Sequence, residues 1–131
     1  MAQVTGIGGI FFKTSDPDAT RTWYRDHLGI ELTDYGGWTF GWRSVDRPEH
    51  VGRTEWSPFP AETDYFAPSE APFMINYRVD DLDGLLQHLE AVGIEQVGAV
   101  ESYEYGRFAW VLDPDGRKIE LWEPLGEEGQ G

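Results

Sequence analysis

The chain has 131 residues, no cysteine, and a formal net charge of −14 from 10 basic and 24 acidic side chains. That length suits one domain able to bury roughly two-thirds of its surface. The missing thiols exclude disulfide scaffolds, thiolate metal sites and cysteine nucleophiles. The acidic balance repels a nucleic-acid backbone. No apolar run approaches the ~20 residues of a membrane span and no secretion signal is visible, so a cytoplasmic protein is expected. Aromatic residues make up 15%, six of them Trp, which suggests an aromatic-lined pocket or interface.

In chain order, the first strand reads Gly8-Gly-Ile-Phe-Phe-Lys13. A helix follows, capped by Ser15 or Asp16, with Pro17 in the first turn where its missing N–H costs nothing. Gly29 stops that helix, and a strand opening Ile30-Glu31 is expected next. Two more strands run through "YGGWTFGW" (35–42) and "TEWSP" (54–58). Residues 57–72 hold four of the eight prolines and carry no strand or helix period. Then the plan repeats. "FMINYRV" is a strand, Asp80 or Asp81 caps a helix, and Leu82, Leu85, Leu86, Leu89 and Val92 form one helical stripe. Gly93 stops it, Ile94-Glu95 opens a strand, and "YGRFAWVL" (105–112) and "IELWEP" (119–124) follow. Asp16 and Glu55 find their counterparts 65 residues on, at Asp81 and Glu120.

Two βαβββ modules are therefore expected, at about 5–58 and 72–124, joined by a linker at about 59–71. They make one domain over 1–125, followed by a flexible tail at 126–131. One such unit leaves one sheet face bare, so two units set edge to edge should form a curled mixed sheet, an α+β fold with its helices outside and a trough inside. Alternation along the strands sends Ile10, Phe12, Ile75, Tyr77, Ile119 and Leu121 toward the helices. It sends Gly9, Phe11, Met74, Asn76, Glu55, Glu120 and Trp122 into the trough. Phe12, Trp23, Tyr77 and Trp110 read as core. The expected ligand contacts are Glu55, Asn76, Met74, Phe11, Trp122 and Arg107, with Trp38 as a further wall. Glu120 is the candidate catalytic residue, since a carboxylate in an aromatic trough needs a proton, a cation or a ligand's polar group.

The segments "TSDPDATRTWYRDHLGIEL", "VDDLDGLLQHLEAVGIE" and "DPDGRKIELWEP" resemble the vicinal oxygen chelate superfamily of glyoxalases, extradiol dioxygenases and bleomycin-resistance proteins. In its metal-using members four ligands meet in the trough, one from each first strand and one from each last strand. The resemblance carries these to Gly9 and Met74, and to Glu55 and Glu120. Both imidazole positions are then missing, so glyoxalase and iron dioxygenase activity are not expected, and no metal ligand is assigned. His27, His50 and His88 are expected at the surface. The resemblance implies a small organic ligand held in the trough, as in drug-sequestering members. The alternative is a lyase or isomerase acting on a vicinal hydroxy-carbonyl compound through Glu55 and Glu120, either alone or with Mg²⁺ or Mn²⁺ between them. It also implies a homodimer, with the modules paired within one chain or exchanged between two.

Overall fold

Capping chemistry sets both helices where the acidic residues stand. A computed structural model describes residues 2–34 and 36–125; the expected tail lies outside the described residues. Strand β1 (Val4–Thr14) leads into α1 (Pro17–Leu28), whose N-cap Asp16 accepts from the Ala19 N–H at 3.1 Å. Helix α1 ends at Gly29 in the left-handed region, φ 72°. Strands β2 (Trp38–Arg43) and β3 (Val51–Pro60) complete the first module. Strand β4 (Phe73–Val79) opens the second, and α2 (Leu82–Ala91) is capped by Asp81, which accepts from the Gly84 N–H at 3.0 Å. Strands β5 (Glu101–Tyr103), β6 (Gly106–Leu112) and β7 (Lys118–Pro124) follow.

The seven strands form one open mixed sheet in the order β2-β3-β1-β4-β7-β6-β5. The modules meet edge to edge through the antiparallel pair β1–β4, and each holds its last strand parallel to its first. The first module departs from the expected βαβββ plan. Residues 30–32 join no strand, so it is βαββ. Its counterpart in the second module is reduced to a single bridge, Gln96 to Val111, ahead of the three-residue β5. Short Ile-Glu openings carry too few alternating residues to hold a sheet edge without side-chain support.

The helix side of the second module holds an apolar core of Val79, Leu82, Ala109, Val111 and Leu121, with Tyr77, Leu85, Leu86, Leu89 and Ile119 against it. The first module is less covered. Phe12, Tyr24 and Trp56 pack ring to ring beneath α1, yet α1 has no fully buried residue. Trp23, read as core, stands 52% exposed on its outer side. Two helices about 10 Å wide span about four strands spaced ~4.8 Å apart, so part of a seven-stranded face stays open.

Candidate functional site

One row of paired residues crosses the sheet face opposite the helices. Thr39 pairs with Glu55, Glu55 with Gly9, Gly9 with Asn76, Asn76 with Glu120, and Glu120 with Trp110. The pseudo-twofold axis passes between Gly9 and Asn76. It relates Glu55 to Glu120 and Thr39 to Trp110. The chemistry follows the symmetry: Thr39 Oγ1 donates to Glu55 Oε2 at 2.6 Å, and Trp110 Nε1 donates to Glu120 Oε2 at 2.9 Å.

This register corrects one expected position. Glu120 stands opposite Asn76, not Met74, so Asn76 is the counterpart of Gly9. The 65-residue offset holds at the helix caps and at the two glutamates. It fails before the caps because β1 runs five residues past Gly9 and β4 only three past Asn76. Met74 does face the trough, but as packing: it is 1% exposed, clustered with Phe66 and Trp110. A register shift in β1 between Ile7 and Gly9 leaves Gly8 facing inward, where a Cβ would meet Trp122 Cε3 at 3.0 Å and Arg78 Cγ at 2.9 Å. Only glycine fits that approach.

Glu120 is 3% exposed and accepts three hydrogen bonds, all from neutral donors. Asn76 Nδ2 reaches Oε1 at 2.6 Å, Trp110 Nε1 reaches Oε2, and the Tyr65 hydroxyl donates to Oε2 as well. Asn76 is itself 2% exposed, and its Oδ1 has no partner. Tyr65 belongs to the linker, which does more than join the modules. Its ring lies parallel to Phe59 at 5.7 Å (7°) and edge-on to Trp110 at 6.5 Å. Phe66 beside it is fully buried. Burial first, then the charge of Glu120, pushes the Tyr65 phenol above its ordinary value. Lys118 donates to the Tyr65 carbonyl at 2.8 Å and lies over the Tyr65 and Trp110 rings. Burial lowers its ammonium's pKa, against the pull of Glu120. The half of the trough over Glu120 is thus filled by the protein's own phenol.

The other half stays open. Glu55 is half-buried, with Thr39 as its hydrogen-bond donor. Phe11 meets Phe59 edge-on and lays its ring over Gly9, where a Cβ would stand 2.7 Å from Phe11 Cζ. Trp122 is 6% exposed, stacks on Phe108 at 5.9 Å, and carries the Arg78 guanidinium over its ring at 5.1 Å. Arg107 is absent from the trough. It neighbours Phe108 along β6 and so takes the opposite face, where it forks onto Asp83 of α2 at 2.9 and 3.0 Å. Trp38 pairs with Trp56 and likewise lies on the helix side. His27 and His88 are exposed, and His50 borders a cavity of about 500 Å³ at the strand ends, away from the row.

The donor set does not fit the divalent cation weighed for Glu55 and Glu120. Glu120 is turned to three neutral hydrogen-bond donors, Gly9 offers no ligand atom, and the Phe11 ring fills the space beside it. Among the described residues no group of three or more His, Cys, Asp or Glu side chains is arranged to hold a metal. Sequence reasoning named neither Tyr65 nor Thr39; Trp110, read as core, is buried with Phe66 and Met74 and in addition donates to Glu120. Trp110 was legible, being two residues from Phe108 on the face opposite Ala109 and Val111; nothing in the prolines around Tyr65 marked where its ring would go.

Solved structures of similar fold include methylmalonyl-CoA epimerase from Mycobacterium tuberculosis, 21% identical, with a TM-score of 0.60 over 98% of this chain and 93% of that one. A variant of the Streptomyces coelicolor methylmalonyl-CoA epimerase in complex with 2-nitronate-propionyl-CoA is 16% identical, with a TM-score of 0.67 over 95% and 100%. A superfamily member from Vibrio splendidus 12B01 is 16% identical, with a TM-score of 0.54 over 93% and 98%. These likenesses establish the fold. No curated protein matches the chain. The sequence profile of the Glyoxalase/Bleomycin resistance protein/Dioxygenase superfamily matches residues 6–121, nearly the whole domain. With the two modules joined through β1 and β4 and carboxylates at both last-strand positions, the chain belongs to that superfamily.

Proposed function

We propose that this protein binds a small organic molecule in the trough, with Glu55 as the carboxylate that meets it. The observation that carries this reading is the inequality of two equivalent carboxylates: Glu120 is closed off by three donors, while Glu55 stays half-buried beside Thr39, Phe11 and Ser57. A half-buried carboxylate among aromatic walls favours ligands with a hydrogen-bond donor or positive charge on an apolar body. Thermal-shift screening of a metabolite library tests it. Hits should lose at least tenfold in affinity, ~1.4 kcal/mol, in Glu55→Gln, and none in the exposed control Glu31→Gln. Hits indifferent to both Glu55→Gln and Phe11→Ala would refute the reading.

A second reading is an isomerase that moves a proton next to a carbonyl. The pairing of Glu55 and Glu120 across Gly9 and Asn76 favours it, and the epimerases of similar fold fit that class of reaction. Glu55, the accessible carboxylate, would act as the base without a metal. Hydroxy-carbonyl compounds and acyl thioesters incubated in deuterated buffer should then gain deuterium at that carbon with wild type but not with Glu55→Gln.

The partner we assign to the helix side is a second copy. Val4, Ile7, Ile10, Trp23, Leu28 and Ile94 are each 38–59% exposed there, beside an apolar cavity of about 800 Å³. They leave on the order of 500 Å² of apolar surface in water. A standard interface of ~800 Å² per partner, ~65% apolar as in homodimers, contains about that much.

A further inference from the structure

We propose that Tyr65 is an internal stand-in for the ligand, and that the cage around it receives a donor-bearing aromatic molecule such as a phenol or aryl amine. This rests on the binding reading above and deepens it. The cage has the parts of an aromatic site: a parallel ring, Phe59, at 5.7 Å; an edge-on ring, Trp110, at 6.5 Å; and a carboxylate, Glu120, at the hydroxyl end. Tyr65 keeps 38% of its surface in water, so the cage already opens to solvent along its outer edge. Strand β3 ends at Pro60 before it and the fully buried Phe66 follows it, so the linker has an anchor on either side of a swinging Tyr65.

The polarity of the cage selects among occupants. A carboxylate has about four acceptor positions, of which Glu120 fills three, and an amide oxygen has two. The Asn76 Oδ1 fills none, although it is buried. The Asn76 Oδ1 lies toward Gly8, and the acceptor where the Tyr65 hydroxyl sits is Glu120 Oε2. A ligand that brings an O–H or N–H is matched there; a carboxylate or phosphate would meet Glu120 as a like charge. Among the described residues the equivalent place beside Glu55 has no such plug.

The probes are p-cresol, which is the tyrosine side chain itself, and toluene, which lacks only the hydroxyl. Calorimetric titration of wild type, Tyr65→Ala and Tyr65→Ala/Glu120→Gln is the experiment. p-Cresol should bind Tyr65→Ala at least tenfold more tightly than it binds wild type, and at least tenfold more tightly than toluene binds the same variant. Adding Glu120→Gln should remove most of that preference. In wild type, p-cresol should speed chymotryptic cleavage after Tyr65. If Tyr65→Ala does not fold, Tyr65→Phe keeps the ring, drops the latch, and should still bind p-cresol more tightly than wild type. Equal affinity for toluene and p-cresol would mean a plain apolar hole and overturn the proposal, as would equal p-cresol affinity in wild type and variant. If p-cresol fails while library hits still depend on Glu55, the stand-in falls and the binding reading survives.

Discussion

Replacing Glu120 by leucine, and separately by glutamine, tests the donor cage most directly. Leucine removes the acceptor and leaves its three donors. Tyr65 is 38% exposed, so its hydroxyl can turn to water. Asn76 and Trp110 are 2% and 6% exposed and cannot. Each stranded buried donor costs ~1–3 kcal/mol and three charge-assisted bonds of ~1.5 kcal/mol are lost, while the several kcal/mol of carboxylate desolvation is relieved, so Glu120→Leu should still lose about 4 kcal/mol. Glutamine keeps an acceptor for Tyr65 and Trp110, and its N–H₂ can face Asn76 once that amide turns its unpartnered Oδ1 inward. Charge-assisted bonds become neutral ones, at about 1 kcal/mol each over three bonds. Against this, a carboxylate with no cation among its hydrogen-bond partners no longer has to be desolvated, which is worth several kcal/mol. The two nearly cancel, and Glu120→Gln should stay within about 1 kcal/mol of wild type. Urea unfolding followed by tryptophan fluorescence reads both. With a slope of ~2 kcal/mol per molar, the leucine variant's midpoint should fall by about 2 M and the glutamine variant's by less than 0.5 M. A leucine variant as stable as wild type, or a glutamine variant as damaged as the leucine one, would show that the cage does not hold Glu120 as described.

Tyr65 titrates later in the folded chain than its ordinary value of 10.0, so its contribution is whole below pH ~10 and is lost as the pH rises toward the folded value. Wild type should therefore lose more stability than Tyr65→Phe between pH 9 and 11, measured by paired urea titrations. Sedimentation equilibrium should report a dimer for wild type and a monomer for Ile10→Lys, which charges the open helix-side face; a monomeric wild type ends the dimer assignment. Nickel-, cobalt- or zinc-loaded protein should turn over no methylglyoxal with glutathione above a metal-free control, since Gly9 and Asn76 supply no imidazole.

Much of the fold was legible because duplication wrote it twice. Asp16 and Asp81 cap as read, and the alternation of Ile119, Glu120 and Leu121 gave the faces correctly. The face a side chain takes was legible where strand parity decides, as for Glu55, Asn76, Phe11 and Trp122. The reading failed where parity was set aside, as for Arg107, and where strands of unequal length broke the repeat, as for Met74. Tyr65 was beyond reach for a different reason. A proline-rich linker has no period, so its side chains are placed by whatever hole the finished sheet leaves.

That placement has an orientational consequence. A row running Thr39-Glu55-Gly9 and then Asn76-Glu120-Trp110 nearly repeats itself under a twofold rotation, offering a flat molecule a carboxylate at either end. With Tyr65 seated, the two ends differ: one presents a half-buried carboxylate and the other a phenol ring. A guest then has one orientation where a bare twofold trough would offer two equivalent ones. One side chain from the joint between the modules is enough to make a duplicated site directional.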